Sequence, residues 1–316
     1  MKAGLIEVRV ESVAPLAEGI LSCDLRTVGG GDLPAFAAGA HIDLYMPSRL
    51  VRSYSLVNPQ EERHRYVIAV NRDAASRGGS VWVHDRLRSG ASLSISAPRN
   101  NFPLAEDAPH SLFIAGGIGI TPLWCMLQRL QLLRRSWELV YCARTRRHAA
   151  FRAELECLGG AVRFNFDGEP GGGKLDIAAV VASAVPGTHL YCCGPVPMLE
   201  VFESATATLP GAQVHVEYFS AKAPPAVDGG YTVVLARSRL SFEVARGKTI
   251  IDTLIEKGFD APYSCLEGVC GTCETRVIEG TPDHRDLVLS KDERAANRTM
   301  MICCSGSKTE KLVLDL

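Results

Sequence analysis

The 316-residue sequence contains no uninterrupted apolar run near the roughly 18 residues that a membrane-spanning helix requires. Residues 1–8 alternate between apolar and polar types, as a β-strand does, and lack the apolar core of a signal peptide. Positive charge is not in excess either, because the formal net charge is −1. Proteins that bind nucleic acids concentrate positive charge. We therefore expect a cytoplasmic monomer with neither a membrane nor a nucleic acid as its partner.

Disulfides are not expected, although the chain has 11 cysteines, because a chain without a signal peptide stays in a reducing compartment. Five of the cysteines lie in apolar stretches and are expected to be small buried side chains. These five are Cys23, Cys125, Cys142, Cys157 and Cys192.

The cysteines near the C-terminus follow the spacing of plant-type ferredoxins. Cys265, Cys270 and Cys273 form a C-x4-C-x2-C pattern, and Cys303 and its neighbour Cys304 follow later. Four thiolates in this arrangement bind a 2Fe–2S cluster. A structural zinc site usually has two short cysteine pairs, whereas here the first gap is too long and the second pair is missing. The pattern therefore predicts a 2Fe–2S cluster, which transfers one electron at a time.

The rest of the chain is long enough for further domains. Residues 1–105 contain six short β-rich runs separated by turn residues, which predicts a closed antiparallel barrel. The runs are 6–13, 19–26, 41–46, 51–57, 65–70 and 92–96. One of them includes Arg52-Ser53-Tyr54-Ser55, and a glycine turn at 78–79 leads into a helical pattern. Free N–H groups and the helix dipole make such a turn a site for an anion.

Residues 106–225 alternate between strand and helix patterns, which predicts a doubly wound parallel sheet. Two turns of small residues fall at the ends of predicted strands, Gly116–Pro122 and Cys193-Gly194-Pro195. Ligands of such sheets bind at the carboxyl ends of the strands, so the two turns together favour a dinucleotide site. After a Pro/Gly/Ala linker at 221–230, residues 226–316 have the size of an α+β ferredoxin module.

These motifs, in this order, resemble the phthalate dioxygenase reductase family, to which vanillate demethylase reductases are related. The likeness covers nearly the whole chain and includes Glu217-Tyr218-Phe219 and the terminal residues 312–316. It implies a flavin-binding barrel at 1–105, an NAD-binding α/β domain at 106–225 and a β-grasp 2Fe–2S domain at 226–316. It also selects Cys303 as the fourth cluster ligand, because Ser305 matches the family's residue two positions after that ligand.

The resemblance assigns FMN to the barrel. Arg52 would hold the flavin phosphate, Tyr54 would lie against the isoalloxazine, and Ser55 would hydrogen-bond near N5. The other residues assigned to the flavin are Ser53, Gly78, Gly79 and Ser80. FMN is favoured over FAD because the stretch between Ser80 and Asn101 has no extra segment to hold an adenine.

The resemblance assigns NADH to the second domain. Cys193 would lie beside the nicotinamide, which makes it and Ser55 the catalytic residues, and Phe219 would cover the flavin ring. The other residues of this site are Gly116, Gly117, Thr121, Pro122, Gly194 and Pro195. Asp167 would disfavour the 2′-phosphate of NADPH, although the arginines within 142–147 favour such a phosphate.

The implied function is that of a reductase component. It would take hydride from NADH onto FMN and pass single electrons through the cluster to a separate Rieske-type oxygenase. A reductase that serves a cytochrome P450 is the alternative with the same architecture. A flavin-free redox sensor is a further alternative, but it leaves the two nucleotide motifs unexplained. The trio His284-Arg285-Asp286 could be mistaken for a catalytic site, but we expect it to have a role in loop structure.

Overall fold

The computed structural model describes residues 4–47, 50–73, 76, 78–158 and 161–316. The chain divides into two compact units, residues 1–218 and 219–316, which are described separately. Within the described residues, no helix is both long enough and apolar enough to cross a membrane.

The first unit begins with a six-stranded antiparallel sheet. Its strands are β1 (Ile6–Ala17), β2 (Ile20–Thr27), β3 (His41–Met46), β4 (Leu50–Ser55), β5 (Tyr66–Asn71) and β6 (Ser92–Ile95), and helix α1 (Gly79–Arg86) precedes β6. The strand order is β4-β3-β6-β1-β2-β5. A bridge between Leu56 and Ile68 joins the two outer strands, so the sheet closes into the expected barrel. Alternate side chains such as Val8, Val10 and Ile42 fill its core.

The second half of the first unit is a five-stranded parallel sheet with the order β11-β10-β7-β8-β9. Its strands are β7 (His110–Gly116), β8 (Trp137–Ala143), β9 (Val162–Phe166), β10 (Thr188–Cys193) and β11 (Val214–Glu217). Its helices are α2 (Ile120–Leu132), α3 (Arg152–Cys157), α4 (Ile177–Ala182) and α5 (Val196–Ala205). One hydrophobic core includes Val57 after the barrel strand as well as Phe113 and Cys193 of the parallel sheet. The barrel and the parallel sheet are therefore packed together.

The second unit contains a mixed five-stranded sheet with the order β13-β12-β18-β14-β16. Its elements are β12 (Tyr231–Leu235), β13 (Leu240–Val244), α6 (Ile250–Glu256), β14 (Glu274–Glu279), β15 (Pro282–Asp283), α7 (Lys291–Ala296), β16 (Thr299–Met301), β17 (Gly306–Ser307) and β18 (Lys311–Leu314). Helix α6 begins with a capping box in which Thr249 and Asp252 satisfy each other's backbone N–H groups. The α+β ferredoxin-like fold expected for this region is confirmed.

One sequence-based expectation about cysteine is wrong. Cys157 is exposed rather than buried, and Cys142 is half-buried. Cys157 is the last residue of α3, a helix of 6 residues in which only Leu155 is buried. An apolar neighbourhood in the sequence does not fix which side of a short helix faces the core.

Candidate functional site

The strand that contains Arg52-Ser53-Tyr54-Ser55 is β4, which pairs with β3 along its whole length. Successive side chains of a strand point to opposite faces, so Arg52 and Tyr54 share one face and Ser53 and Ser55 share the other. The Ser53 hydroxyl donates to Asp43 Oδ1 at 2.7 Å. Asp43 also accepts from Arg99 Nη2 at 2.7 Å, so Ser53 belongs to a buried polar network within the barrel. The four residues are therefore not brought to one face.

The Ser55 hydroxyl at the end of β4 is available to a ligand. Ser55 is 5% exposed, and its Oγ has no hydrogen-bond partner among the described residues. A buried hydroxyl without a partner costs free energy, on the order of 1–3 kcal/mol, unless a ligand satisfies it. Ser55 lies beside Tyr54, and burial raises the pKa of the Tyr54 phenol, which therefore stays neutral. This arrangement suits a polar ring atom of a bound flavin.

The predicted anion site is the region where α1 begins. Gly78 precedes the helix in the left-handed conformation, with a φ of 98°. A Cβ on Gly79 would lie 2.6 Å from Arg52 Cγ, so only glycine lets the helix start so close to this cation. The Ser80 hydroxyl accepts a hydrogen bond from Asp73 N at 3.1 Å and donates to Ser76 Oγ at 3.0 Å. Arg52 and the first N–H groups of α1 thus converge, as a flavin phosphate requires.

A second site forms where β7 and β10 end side by side. Cys193 pairs with Ala115 in the parallel register, which places both turns of small residues together. A Cβ on Gly119 would overlap the carbonyl of Cys193. A Cβ on Gly116 would lie 2.6 Å from Pro195 Cδ. Gly119 is required by the close approach of two backbones, and Gly116 by the side chains of Pro195 and Met198.

The other residues assigned to the nicotinamide turn shape its backbone. The Thr121 hydroxyl donates to Ile118 O at 2.9 Å, which closes the turn into α2. Gly117 has a φ of 53°, and its carbonyl accepts from Tyr141 Oη at 3.1 Å. Pro122 lies in the first turn of α2, where a missing N–H costs nothing. Gly194 follows Cys193 and lies against Gly116, whose Cα would be 3.1 Å from an added Cβ.

Helix α2 links the two sites. It starts at the nicotinamide turn, and its side chains hold the chain just beyond Ser55. Gln128 Nε2 donates to Val57 O at 2.8 Å, and Cys125 Sγ donates to Asn58 O at 3.2 Å. Both predicted nucleotide sites therefore adjoin this one helix within the first unit.

Sequence reasoning did not assign a role to Glu217, which the structure places beside Cys193. The two residues are direct partners in the parallel register of β10 and β11. Burial raises the pKa of Glu217 to about 8, and Glu217 Oε2 has no hydrogen-bond partner among the described residues. Burial also raises the pKa of Cys193 well above its ordinary value, and Glu217 adds to that shift. The position of Glu217 at the end of a predicted strand was the signal that could have identified it.

The predicted adenosine end of the site contains Asp167 and Arg146, which the sequence analysis considered, and also Glu169, which it did not. Asp167 is exposed and lies close enough to Cys142 to add to the effect of burial, which raises the pKa of that thiol to about 11. Arg146 forms an ion pair with Glu169, which also accepts from Arg146 N at 2.8 Å. The Arg146 guanidinium lies 4.9 Å above the centre of the Phe166 ring. Arg146 is therefore already paired.

The four predicted cluster ligands converge in the second unit, where all are buried. The Cys265 thiol interacts with the thiols of both Cys270 and Cys303. A hydrogen bond with Cys303 and then burial raise the pKa of Cys273. Among the described residues, no three His, Cys, Asp or Glu side chains are placed to hold a single metal ion. The four thiols lie next to one another, and a 2Fe–2S cluster requires four thiolates.

The Cys304 thiol contacts Ser305 and the predicted cluster loop. Its Sγ contacts Met301 O at 3.8 Å and is so close to Gly268 that a Cβ there would overlap it. Gly268 has a φ of 70°, which also favours glycine. Phe219, which was expected to cover the flavin, is the first residue of the second unit and is 40% exposed.

Comparison with known proteins agrees with this arrangement. Residues 113–204 match the model of the oxidoreductase NAD-binding domain family, and residues 233–307 match the model of the 2Fe–2S iron-sulfur cluster binding domain family. Phenoxybenzoate dioxygenase subunit beta from Ectopseudomonas oleovorans is 55% identical, with 98% of this chain and 97% of that protein aligned. Tetrachlorobenzoquinone reductase from Sphingobium chlorophenolicum is 51% identical, with 98% of each chain aligned.

Solved structures are similar over the whole chain. An intact type IV self-sufficient cytochrome P450 monooxygenase is 39% identical with a TM-score of 0.88; the match covers 99% of this chain but only 41% of that one. Phthalate dioxygenase reductase, described as a modular structure for electron transfer from pyridine nucleotides to [2Fe–2S], is 37% identical with a TM-score of 0.76. In that case 99% of this chain and 98% of the other are covered. The chain belongs to the phthalate dioxygenase reductase family.

Proposed function

We propose that this protein is the reductase component of an oxygenase system, which oxidises NADH and delivers single electrons to a separate protein. The observation that supports this most directly is the shared use of α2. The helix that begins at the nicotinamide turn holds the chain directly after Ser55, through Gln128 Nε2 and Val57 O at 2.8 Å. A nicotinamide and a flavin bound at these sites share one rigid unit, as hydride transfer between them requires.

The residues of the barrel would bind FMN. Arg52 and the first N–H groups of α1 hold the phosphate, Tyr54 packs against the ring, and the Ser55 hydroxyl hydrogen-bonds near N5. When bound, FMN accepts a hydride from the nicotinamide and returns the two electrons singly, and the 2Fe–2S cluster carries one electron at a time. Flavin released by heating should run as FMN on chromatography, because the site ends at a phosphate. Release of FAD would contradict this assignment.

The residues at the ends of β7, β10 and β11 would orient the nicotinamide. The turn at 116–122 holds the pyrophosphate and nicotinamide, and Cys193-Gly194-Pro195 lies along the ring. Glu217 stays protonated up to pH of about 8, because burial raises its pKa. It therefore presents a neutral acid beside the Cys193 thiol, and both groups keep charge away from the ring. Cys265, Cys270, Cys273 and Cys303 would bind the cluster.

We expect NADH to be used in preference to NADPH. The carboxylates of Asp167 and Glu169 lie at the adenosine end, and Glu169 pairs with Arg146, so a 2′-phosphate meets negative charge and no free Arg146. Arg146→Asp should therefore change the ratio of kcat/KM for the two cofactors by less than about tenfold. Glu169→Gln should raise kcat/KM for NADPH, because it releases Arg146 for a charge-assisted contact worth about 1–3 kcal/mol. A wild-type enzyme that favours NADPH would contradict the assignment.

The electron acceptor is proposed to be the Rieske cluster of an oxygenase. The alignment with phenoxybenzoate dioxygenase subunit beta covers 98% of this chain, which supports a role in an oxygenase system. The self-sufficient P450 supports the alternative that a P450 haem receives the electrons. Purified reductase should be offered a Rieske oxygenase, a P450 and a quinone, and NADH oxidation should be measured with each. The proposal requires the fastest electron transfer to the Rieske protein; faster transfer to the P450 or the quinone contradicts it.

The domain boundaries at 105 and 225 are part of this proposal, as are a cytoplasmic location and a monomeric state. Residues 221–230 would form the connection between the second and third domains. The free cysteines of the described chain, none of which forms a disulfide, suit a reducing compartment. Size-exclusion chromatography with light scattering tests the monomeric state.

A further inference from the structure

The trio His284-Arg285-Asp286 lies on the loop between β15 and α7, directly against the predicted cluster loop. Leu287 N donates to Gly268 O at 2.8 Å, and Arg285 N donates to Ser305 Oγ at 3.1 Å. A Cβ on Gly268 would lie 2.9 Å from Asp286 Cα. The trio thus joins the loop that holds Cys265 to Cys273 to the turn that follows Cys303. It serves loop structure, as the sequence predicts, but its polar atoms are not fully used by that role.

Two buried acceptors face each other in this loop. The side chains of His284 and Asp286 are 8% and 0% exposed, and His284 Nδ1 lies 3.7 Å from Asp286 Oδ1. Neither atom has a hydrogen-bond partner among the described residues. The other carboxylate oxygen, Asp286 Oδ2, accepts from Val288 N at 3.2 Å and Leu289 N at 2.9 Å. A carboxylate can only accept, and no hydrogen bond reaches this oxygen, although Arg294 Nε is likewise buried without a partner among the described residues and Arg294 Nη2 lies 3.8 Å from Asp286 Oδ2.

The tautomer of His284 follows from its other neighbour. His284 Nε2 lies 3.2 Å from Asn297 Oδ1. Asn297 Nδ2 donates to Ala295 O at 3.2 Å, which fixes the amide so that its oxygen faces the imidazole. Nε2 must then be the donor, and a neutral imidazole has no second N–H to give to Asp286. One added proton on Nδ1 would give this pair its donor, and the two atoms would then approach from 3.7 Å to hydrogen-bonding distance.

We propose that His284 and Asp286 form a one-proton site that takes up a proton at His284 Nδ1 when the cluster is reduced. The step balances: one electron enters the cluster, and one proton from water forms the N–H bond that donates to Asp286. Reoxidation returns both. This inference rests on the proposed function only in requiring the 2Fe–2S cluster, and it is independent of the flavin and the nicotinamide.

The physical reason is charge compensation in a poorly solvated region. An added electron is a negative charge a short distance from Asp286, which is itself negative, and a low dielectric strengthens their repulsion. An imidazolium at His284 offsets that repulsion.

The charged and titratable groups around His284 within the described second unit are Asp283 and Arg285 beside it, Asp286, Arg294 of α7, and Cys304 in the following turn. Asp283 pairs with Arg285 at 2.8 Å, and Arg294 lies 3.8 Å from Asp286. The charges of these two pairs cancel while His284 is neutral.

The test is the reduction potential of the cluster in the full-length holoprotein, measured against pH from about 5.5 to 9, across the range in which histidines titrate. Dithionite with mediators supplies the electrons, and the electron paramagnetic resonance signal of the cluster is the readout, so NADH and flavin are not involved. The reduction potential of the wild-type cluster should fall as the pH rises. Where one proton is taken up with each electron, the reduction equilibrium changes tenfold per pH unit, which is 59 mV for one electron.

His284→Asn supplies an amide N–H to Asp286 and has no titratable proton, so its potential should not depend on pH. His284→Gln gives the same expectation with a different shape, should the asparagine variant lose its cluster. His64→Asn, an exposed histidine in the first unit, is the control and should keep the wild-type slope. His284 is the only histidine between residues 219 and 316, so no other imidazole of that unit can replace it. A wild-type potential independent of pH, or a slope that survives in the His284 variants, overturns the proposal. Protein without cluster absorbance would instead contradict the proposed function.

Discussion

Cys303→Ser should abolish the visible absorbance of the 2Fe–2S cluster, whereas Cys304→Ser should retain it. This is the largest effect that we expect from a single substitution. The Cys303 thiol interacts with those of Cys273 and Cys265, two of the three predicted ligands in the C-x4-C-x2-C loop. Cys304 instead packs against Gly268 and Met301. Serine oxygen is a poor substitute for the soft thiolates that these clusters prefer. Absorbance and iron content of the purified variants measure the outcome.

Flavin reduction separates this effect from misfolding. Cys273→Ser should also abolish the cluster, yet NADH should still reduce the flavin at a near-normal rate, because the residues proposed for both nucleotide sites, Phe219 apart, lie in the first unit. The matched pair Cys303→Ser and Cys304→Ser differs by one position only. If Cys304→Ser loses the cluster and Cys303→Ser keeps it, the assignment of the fourth ligand is wrong.

Gly119→Ala should lower the rate at which NADH reduces the flavin by at least about tenfold. The new methyl group would overlap the carbonyl of Cys193, and both partners are backbone, so neither can rotate away. Forcing such a group into a packed site costs roughly 1–3 kcal/mol and separates the two turns that hold the nicotinamide. Stopped-flow measurement at saturating and limiting NADH distinguishes a loss of binding from a loss of orientation.

Gly211→Ala is the matched control for this substitution. Gly211 begins a short 3-10 turn in the same sheet domain, and a Cβ there meets nothing within 4 Å. Its flavin reduction should equal that of the wild type. Chemical reduction of the cluster should be normal in both variants, since the cluster lies in the second unit. Normal flavin reduction in Gly119→Ala would mean that the two turns do not form the nicotinamide site.

The sequence predicted the three sheets well because each has a clear pattern. Alternating residues identified the barrel strands, and strand–helix alternation identified the parallel sheet. The barrel is closed by the bridge between Leu56, after β4, and Ile68 of β5. This bridge joins two outer strands of the sheet, and only the number of strands predicted it. Helix α7 is short and polar, with no buried residue, so hydrophobic periodicity gave no signal for it.

The candidate site was predicted less completely than the fold. Glycine motifs identified both turns, since a glycine is needed wherever backbones meet closely. The role of Glu217 depends on the register between β10 and β11, which brings it beside Cys193. The pairing of Arg146 with Glu169 likewise depends on two loops that are distant in sequence. Such contacts are set by tertiary packing, and no local pattern encodes them.

The most direct test of the central claim is the absorption spectrum of purified protein under anaerobic conditions, before and after NADH is added without any acceptor. We expect the flavin bands and the cluster bands both to bleach, because electrons pass from NADH through the flavin to the cluster. Cys303→Ser should show flavin bleaching alone. A wild-type protein whose bands do not change, or whose cluster bands remain while the flavin bleaches, would contradict the electron path proposed for this chain.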